Sequence, residues 1–355
     1  MSSAPLQVTP IAILKDAGRY QPPVRPAGMK LVIDLNEGPA PTPDILARLA
    51  AVDGETLRRY PDATALEARL AARFGLPASR VVVTAGGDDA IERLCRAVLS
   101  PGKELILPSP SFEMFKRYAK FAGASVVEPA WPEGRFPLDA VLAAINANTA
   151  MIAVVSPNNP TGAVATADDL RRVAAAAPHA LILLDGAYAE FADEDLTALA
   201  LTLPNVVMVR TFSKARGLAG LRVGYALAPE RVADWMRAVG APFAVSSVSI
   251  ALAGHDLDNN DARLAATVAQ VRLERERIRQ VLTELGAQPV ASQANFVLAR
   301  VKDPVAVRDA LFAQGVAVRA FTGKPGMENL LRIGCPADAA GMELLETALR
   351  QALKA

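Results

Sequence analysis

Seven short runs of apolar, mostly β-branched residues lie between positions 80 and 227: "RVVVT" (80–84), "ELILP" (104–108), "SVVEP" (125–129), "MIAVVS" (151–156), "LILLD" (181–185), "VVMVR" (206–210) and "RVGYAL" (222–227). Several are separated by helix-patterned stretches. "DDAIERLCRAVLS" places Ile91, Leu94, Cys95 and Val98 on one face, and "TADDLRRVAAAA" follows a similar rhythm. A strand that is apolar throughout must be covered on both faces, and helices between such strands supply the cover. The expected fold class is therefore α/β, a large domain with a mostly parallel seven-stranded sheet between helices. Beyond about 240 the pattern changes. A long charged helix, "DARLAATVAQVRLERERIRQVLTELG" (261–286), precedes shorter pieces such as "ANFVLAR", "VAVRAF" and "NLLRIGC", which read as a smaller α+β domain. Residues 1–43 hold eight prolines and read as an extended arm, joining the small domain or covering the site. The expected division is 1–43, 44–240 and 241–355. No internal repeat is found, and the run "RLERERIRQ" reads as a solvated helix face.

Composition narrows the ligand. With 38 basic and 37 acidic residues the net charge is +1, so no global field draws the chain to nucleic acid or to an anionic membrane. An anionic ligand must be held by local groups. No uncharged apolar stretch is long enough to span a bilayer, and the N-terminus lacks the pattern of a signal peptide. The two cysteines, Cys95 and Cys335, form no paired motif, which favours a reducing cytoplasm. Two histidines, His179 and His255, poorly supply a zinc site or a Ser-His-Asp triad, so no metal is expected.

In open parallel sheets ligands bind beyond the carboxyl ends of the strands. The residues that follow each apolar run are therefore the candidates. "AGGDDAI" brings Gly87 and Asp88 to a helix start; "PNNPTG" brings Asn159; Asp185 and Tyr188 follow "LILL"; Thr211, Ser213 and Lys214 follow "VVMVR"; and Arg222 opens the next run. Each motif alone is ordinary turn or cap chemistry. Together they describe one ligand. Backbone N–H groups, hydroxyls and Arg222 suit a phosphate. Asp185 at the end of an apolar strand needs a cation, such as a protonated pyridine nitrogen. Tyr188 and Asn159 can hold a ring hydroxyl, and Lys214 can condense with an aldehyde. That ligand is pyridoxal 5′-phosphate.

These motifs, with "RYPD" (59–62), "PSPSFEMF" (108–115), "LDGAYAEF" (184–191), "TFSKARGLAGLRVGY" (211–225), "ANFVLAR" and "LLRIG" (330–334), resemble the fold-type I pyridoxal-phosphate aminotransferases, most closely the histidinol-phosphate aminotransferase branch. The resemblance runs from about Leu31 to Arg350. It implies that Lys214 is the Schiff-base lysine and proton shuttle, that Asp185 partners the pyridinium, and that Tyr188 and Asn159 bind the ring hydroxyl. It implies a phosphate cup of Gly87, Asp88, Ser213 and Arg222, beside which the Thr211 hydroxyl is a candidate further donor, with Phe112 stacked on the ring. Tyr60 would reach the phosphate of a neighbouring subunit, making a homodimer. Arg332, Arg319, Tyr20 and Asn36 would contact substrate.

Some residues depart from the family pattern. Gly186 stands where many relatives carry glutamate, Phe112 replaces a commoner tyrosine, and "LNEGPAP" (35–41) replaces an Asn-Glu-Asn-Pro turn. They leave the identity of the amino acceptor open. The expected activity is ping-pong transamination between small molecules, an amino donor (glutamate by family analogy) and a keto acceptor. A decarboxylase of the threonine-phosphate type shares the same motifs and differs in which substrate bond stands perpendicular to the ring. A non-catalytic cofactor-binding protein is the alternative of another class. The absence of a G-x-G-x-x-G turn removes a nicotinamide-binding fold.

Overall fold

The computed structural model describes residues 9, 12–15, 19–20 and 22–353. Pro5 and Pro10 of the expected arm lie outside the described residues. Strand β1 (Leu31–Val32) precedes the seven strands anticipated from the apolar runs: β2 (Val81–Thr84), β3 (Glu104–Ile106), β4 (Ser125–Val127), β5 (Thr149–Val155), β6 (Leu181–Asp185), β7 (Val206–Thr211) and β8 (Gly224–Leu227). These seven form one sheet in the order β2-β8-β7-β6-β5-β3-β4. All pairings are parallel except those of β8, which runs against both neighbours. The connection 212–223 explains the exception. It contains one 3₁₀ turn, Ala219–Leu221, and no crossover helix, so the chain returns antiparallel.

Side chains alternate between two cores. Along β5, Met151, Ala153 and Val155 face one cluster while Ile152 and Val154 face the other. The same alternation holds in β6 (Leu181 and Leu183 against Ile182 and Leu184) and in β7 (Val207 and Val209 against Val206 and Met208). Helices cover both faces. Gly86–Val98, Met114–Phe121 and Glu230–Val239 bury Leu94, Phe115 and Met236 in one cluster; Thr64–Phe74 and Ala167–Ala176 bury Leu70 and Val173 in the other. Two covered faces are the reason these strands carry no polar alternation.

A second sheet, ordered β12-β13-β10-β9, is built from β9 (Gln288–Pro289), β10 (Phe296–Arg300), β12 (Arg319–Ala320) and β13 (Leu330–Gly334), with β11 (Val316–Ala317) pairing in parallel with β1. Val271, Ile278 and Val281 of helix Asp261–Glu284 and Leu345 and Leu349 of helix Ala339–Ala352 pack against Phe296, Leu331 and Ile333. Ile33, just past β1, joins this cluster, so the end of the arm belongs with the smaller sheet. One helix beyond the expected division at 240 packs with the larger sheet. Helix Ser247–Asn259 buries Leu252, Ala253 and Leu257 in a core of the large sheet, because its apolar face meets helix Thr64–Phe74 and not the C-terminal strands. Among the described residues no helix is long and apolar enough to cross a membrane.

Candidate active site

Asp185 is the last residue of β6 and is 5% exposed. Its Oδ1 accepts the Ala187 N–H at 3.0 Å, one bond for a carboxylate otherwise shut from water. Burial pushes its pKa up to about 6; the Ala187 bond and the Lys214 charge oppose the rise, and the Asp88 charge adds to it. A buried carboxylate with spare acceptor capacity calls for a cationic N–H.

Beside it, Gly86, Gly87 and Asp88 open helix Gly86–Val98, whose first N–H groups lack partners within the helix. The backbone is packed tightly here. A Cβ on Gly224 would stand 2.5 Å from the Gly86 carbonyl carbon, and one on Gly86 (φ +83°) would stand 2.5 Å from Arg222 Nη2. Arg222 itself is left-handed, φ 50°, which aims its guanidinium back over the helix start. It donates to Ser213 Oγ and to Asp88 Oδ2, each at 3.3 Å. Thr211 Oγ1 donates to Ser213 Oγ at 2.9 Å and accepts the Ser213 N–H at 3.1 Å. Donors from three elements thus converge on the glycine-rich helix start.

Lys214 sits on the turn after β7. Its ammonium donates to the Leu35 carbonyl at 2.9 Å and lies 5.6 Å from the centre of the Tyr188 ring. The strap 35–40 is pressed onto this turn, since a Cβ on Gly38 would meet the Lys214 carbonyl oxygen at 2.0 Å and one on Gly217 would meet that of Pro39 at 2.1 Å. Asn36 Nδ2 donates to the Tyr188 hydroxyl at 3.0 Å. Asn159 Oδ1 accepts from Arg332 Nη1 at 2.6 Å, and Arg332 Nη2 donates to the Asp34 carbonyl at 2.7 Å. Burial pulls Arg332 down to about 10, so it stays charged at neutral pH, while its Nε is buried without a partner among the described residues. Arg319 stands directly opposite Arg332 across β12 and β13.

The structure therefore gathers Lys214, Asp185, Tyr188, Asn159, Asn36, Arg332 and Arg319, with Gly87, Asp88, Thr211, Ser213 and Arg222 beside them. It does not join the remaining three to Lys214 by any hydrogen bond or ring contact. Phe112 packs half-buried against one core of the large sheet. Tyr20 is 50% exposed, and Tyr60 is 81% exposed and stacked on Phe243 with ring centres 4.7 Å apart. Sequence reasoning missed the holders of the strap. Arg263 donates to the carbonyls of Ala40 (2.8 Å) and Arg216 (3.1 Å), and Arg216 is tied to buried Asp256 at 2.7 Å. The signal was present in "SKARG", where a charged residue interrupts a turn among apolar neighbours. In "NNP" the first asparagine is structural: Asn158 is buried and bonded to Pro110, Ser111 and Thr161.

Residues 30–349 match the model of the family "Aminotransferase class I and II". The chain belongs to that family. It is 36% identical over 315 residues to a histidinol-phosphate aminotransferase of Roseiflexus castenholzii, covering 85% of this chain and 84% of that one. It is 38% identical over 304 residues to an aromatic amino acid aminotransferase of Mycobacteroides abscessus, covering 83% and 86%. The histidinol-phosphate aminotransferase of Sinorhizobium meliloti, solved in complex with pyridoxal-5′-phosphate, superposes with a TM-score of 0.82 at 27% identity, covering 98% of this chain and 95% of that one. The protein is thus a pyridoxal-phosphate-dependent aminotransferase acting on small amino and keto compounds.

The residues present fit that cofactor. The first N–H groups of helix Gly86–Val98, the Ser213 hydroxyl and the Arg222 guanidinium suit an anion, and Asp185 offers spare acceptor capacity to a pyridinium. Gly186 has a local cause: a Cβ there would meet Met208 Cε at 2.2 Å, so Met208 fills the space a larger residue would need.

Proposed function

We propose that this aminotransferase moves an amino group between glutamate and a partner of the histidinol-phosphate type, in two half-reactions at one site. The observation that carries this reading is the pair Arg332 and Arg319. Like charges directly opposite on adjacent strands repel, and an anionic substrate group placed against both would offset the cost. A glutamate carboxylate and a phosphate ester both meet that requirement.

When bound, the cofactor supplies an electron sink for charge developed at the substrate Cα. In this reading Lys214 Nζ is the amine that links the cofactor and, once displaced by substrate, the base that moves a proton to and from Cα. Asp185 holds the pyridinium proton. Tyr188 and Asn159 donate to the ring hydroxyl, while Gly87, Asp88, Thr211, Ser213 and Arg222 bind the phosphate and Phe112 lies along the ring. Arg332 and Arg319, with Tyr20, orient the substrate. Tyr60 reaches the cofactor phosphate of a second copy, which makes the working unit a homodimer; its exposure beside Phe243 supports a role outside its own fold. The two buried cysteines support a cytoplasmic setting.

A second reading, an aromatic amino acid as partner, is favoured by Phe296 and Phe321, whose ring centres lie 5.3 and 5.9 Å from the Arg332 guanidinium. Steady-state rates of glutamate formation from 2-oxoglutarate separate the two. Histidinol phosphate should give a far higher kcat/KM than histidinol or phenylalanine. A higher value for phenylalanine would replace the phosphate reading, and carbon dioxide release from threonine phosphate without any keto acid would bring forward the decarboxylase.

A further inference from the structure

Asn36 is 2% exposed and left-handed, φ 57°, a conformation few residues other than glycine adopt. Its carbonyl is held by Asn295 Nδ2 at 3.2 Å. Among the described residues its side chain makes one hydrogen bond, from Nδ2 to the Tyr188 hydroxyl at 3.0 Å, and its Oδ1 is buried without a partner. Among the described residues the Tyr188 hydroxyl has no other hydrogen-bond partner.

A phenol has one proton to give and lone pairs to receive. Asn36 fills a lone pair and leaves the proton uncommitted. Asn159 is treated in the same way by a different neighbour: Arg332 occupies its Oδ1, which leaves its Nδ2 as the group able to donate. The two side chains assigned above to the ring hydroxyl are thus both forced into the donor role by a second partner.

We infer that Asn36 is a positioning residue that fixes the direction of the Tyr188 hydrogen bond, so that the phenol donates to the ring oxygen of the bound cofactor. This rests on the placement of Tyr188 against that ring. A donor on the ring oxygen draws off negative charge, which weakens the hold of that oxygen on the proton of the neighbouring lysine–cofactor nitrogen. Reversal of the bond should strengthen that hold and move its titration upward.

Two variants separate direction from mere packing. Asn36→Asp keeps the size and tolerates the left-handed backbone, but a carboxylate only accepts, so it takes the Tyr188 proton for itself. Asn36→Gly also tolerates the backbone and simply removes the bond. If Asn36 only filled space, the near-isosteric Asp would be the milder change. The visible absorption of the cofactor-loaded protein is titrated with pH for both variants, alone and in a Tyr188→Phe background. The expected result is a midpoint raised by about one pH unit in Asn36→Asp, a smaller rise in Asn36→Gly, and no difference between the two once Tyr188 is Phe. A difference that persists in the Phe background would show that the added charge acts through space, and would overturn the inference. Equal midpoints for wild type, Asp and Gly would overturn it while leaving the cofactor assignment intact. A wild-type protein with no visible band would remove that assignment and the inference with it.

Discussion

A carboxylate buried at the end of an apolar strand with one backbone bond is costly in its charged form, and Asp185 shows the cost as a pKa raised from 3.8 to about 6. Between these values the folded chain holds a proton that the unfolded chain has lost. The stability tied to Asp185 is therefore fully present below about pH 4 and is lost as pH rises through 6, a change of roughly 3 kcal/mol at 1.36 kcal/mol per pKa unit. Asp185→Asn should accordingly stabilise the cofactor-free protein in urea melts above pH 6 and give no gain near pH 4. The same substitution should lower kcat by about 10²- to 10³-fold, because the pyridinium loses its counter-charge. Arg319 allows a second test at this scale. Arg319→Ala should raise KM by about 10- to 100-fold for a phosphate-bearing substrate and for glutamate alike, the loss of one charge-assisted contact, and should change that for histidinol, which carries no anion, much less. Asp185 was legible in the sequence because it is the first ionisable residue after an unbroken apolar run, and Lys214 because it closes the Thr-Phe-Ser-Lys stretch that follows another. The pairing of Asn36 with Tyr188 was not, since 152 positions separate them and neither neighbourhood hints at the other.

At the scale of elements, the site is made by close approaches of backbone. β8 can lie against the start of helix Gly86–Val98 only because residue 224 has no Cβ, and the strap 35–40 can cover Lys214 only because 38 and 217 have none. Gly224→Ala would push the Gly86–Gly87 backbone into the cup. The expected effect is a loss of roughly 1–3 kcal/mol of cofactor affinity, or about 5- to 150-fold in Kd, read by titration of the cofactor-free protein with pyridoxal phosphate. Strands β2, β5, β6, β7 and β8 were legible because burial on both faces leaves an unbroken apolar signature, while edge strand β4 is only partly covered. The direction of β8 was not, since it depends on the missing helix in 212–223 and not on any residue within the strand. The strap was anticipated only as a proline-rich arm, because its contacts with Arg263, Lys214 and Gly217 arise from tertiary packing.

At the scale of the whole molecule, Tyr188 and Ala215 belong to the core of the smaller sheet while Lys214 and Asp185 close the larger one, so the site lies where the two cores meet. The placement of helix Ser247–Asn259 with the larger core could not be read from its sequence, whose apolar face fits either partner. The proposed homodimer makes a clean prediction. Tyr60→Ala and Lys214→Ala chains, each of low activity alone, should recover activity when unfolded and refolded together, because a mixed dimer contains one complete site; no recovery would place Tyr60 outside the neighbouring site. The claim on which the rest depends is that Lys214 carries the cofactor. The most direct measurement is borohydride reduction of the protein loaded with pyridoxal phosphate, followed by peptide mass mapping. A phosphopyridoxyl group on the peptide containing Lys214, absent when glutamate is added in excess before reduction, is the expected result. Label distributed over other lysines with Lys214 unmodified would contradict it.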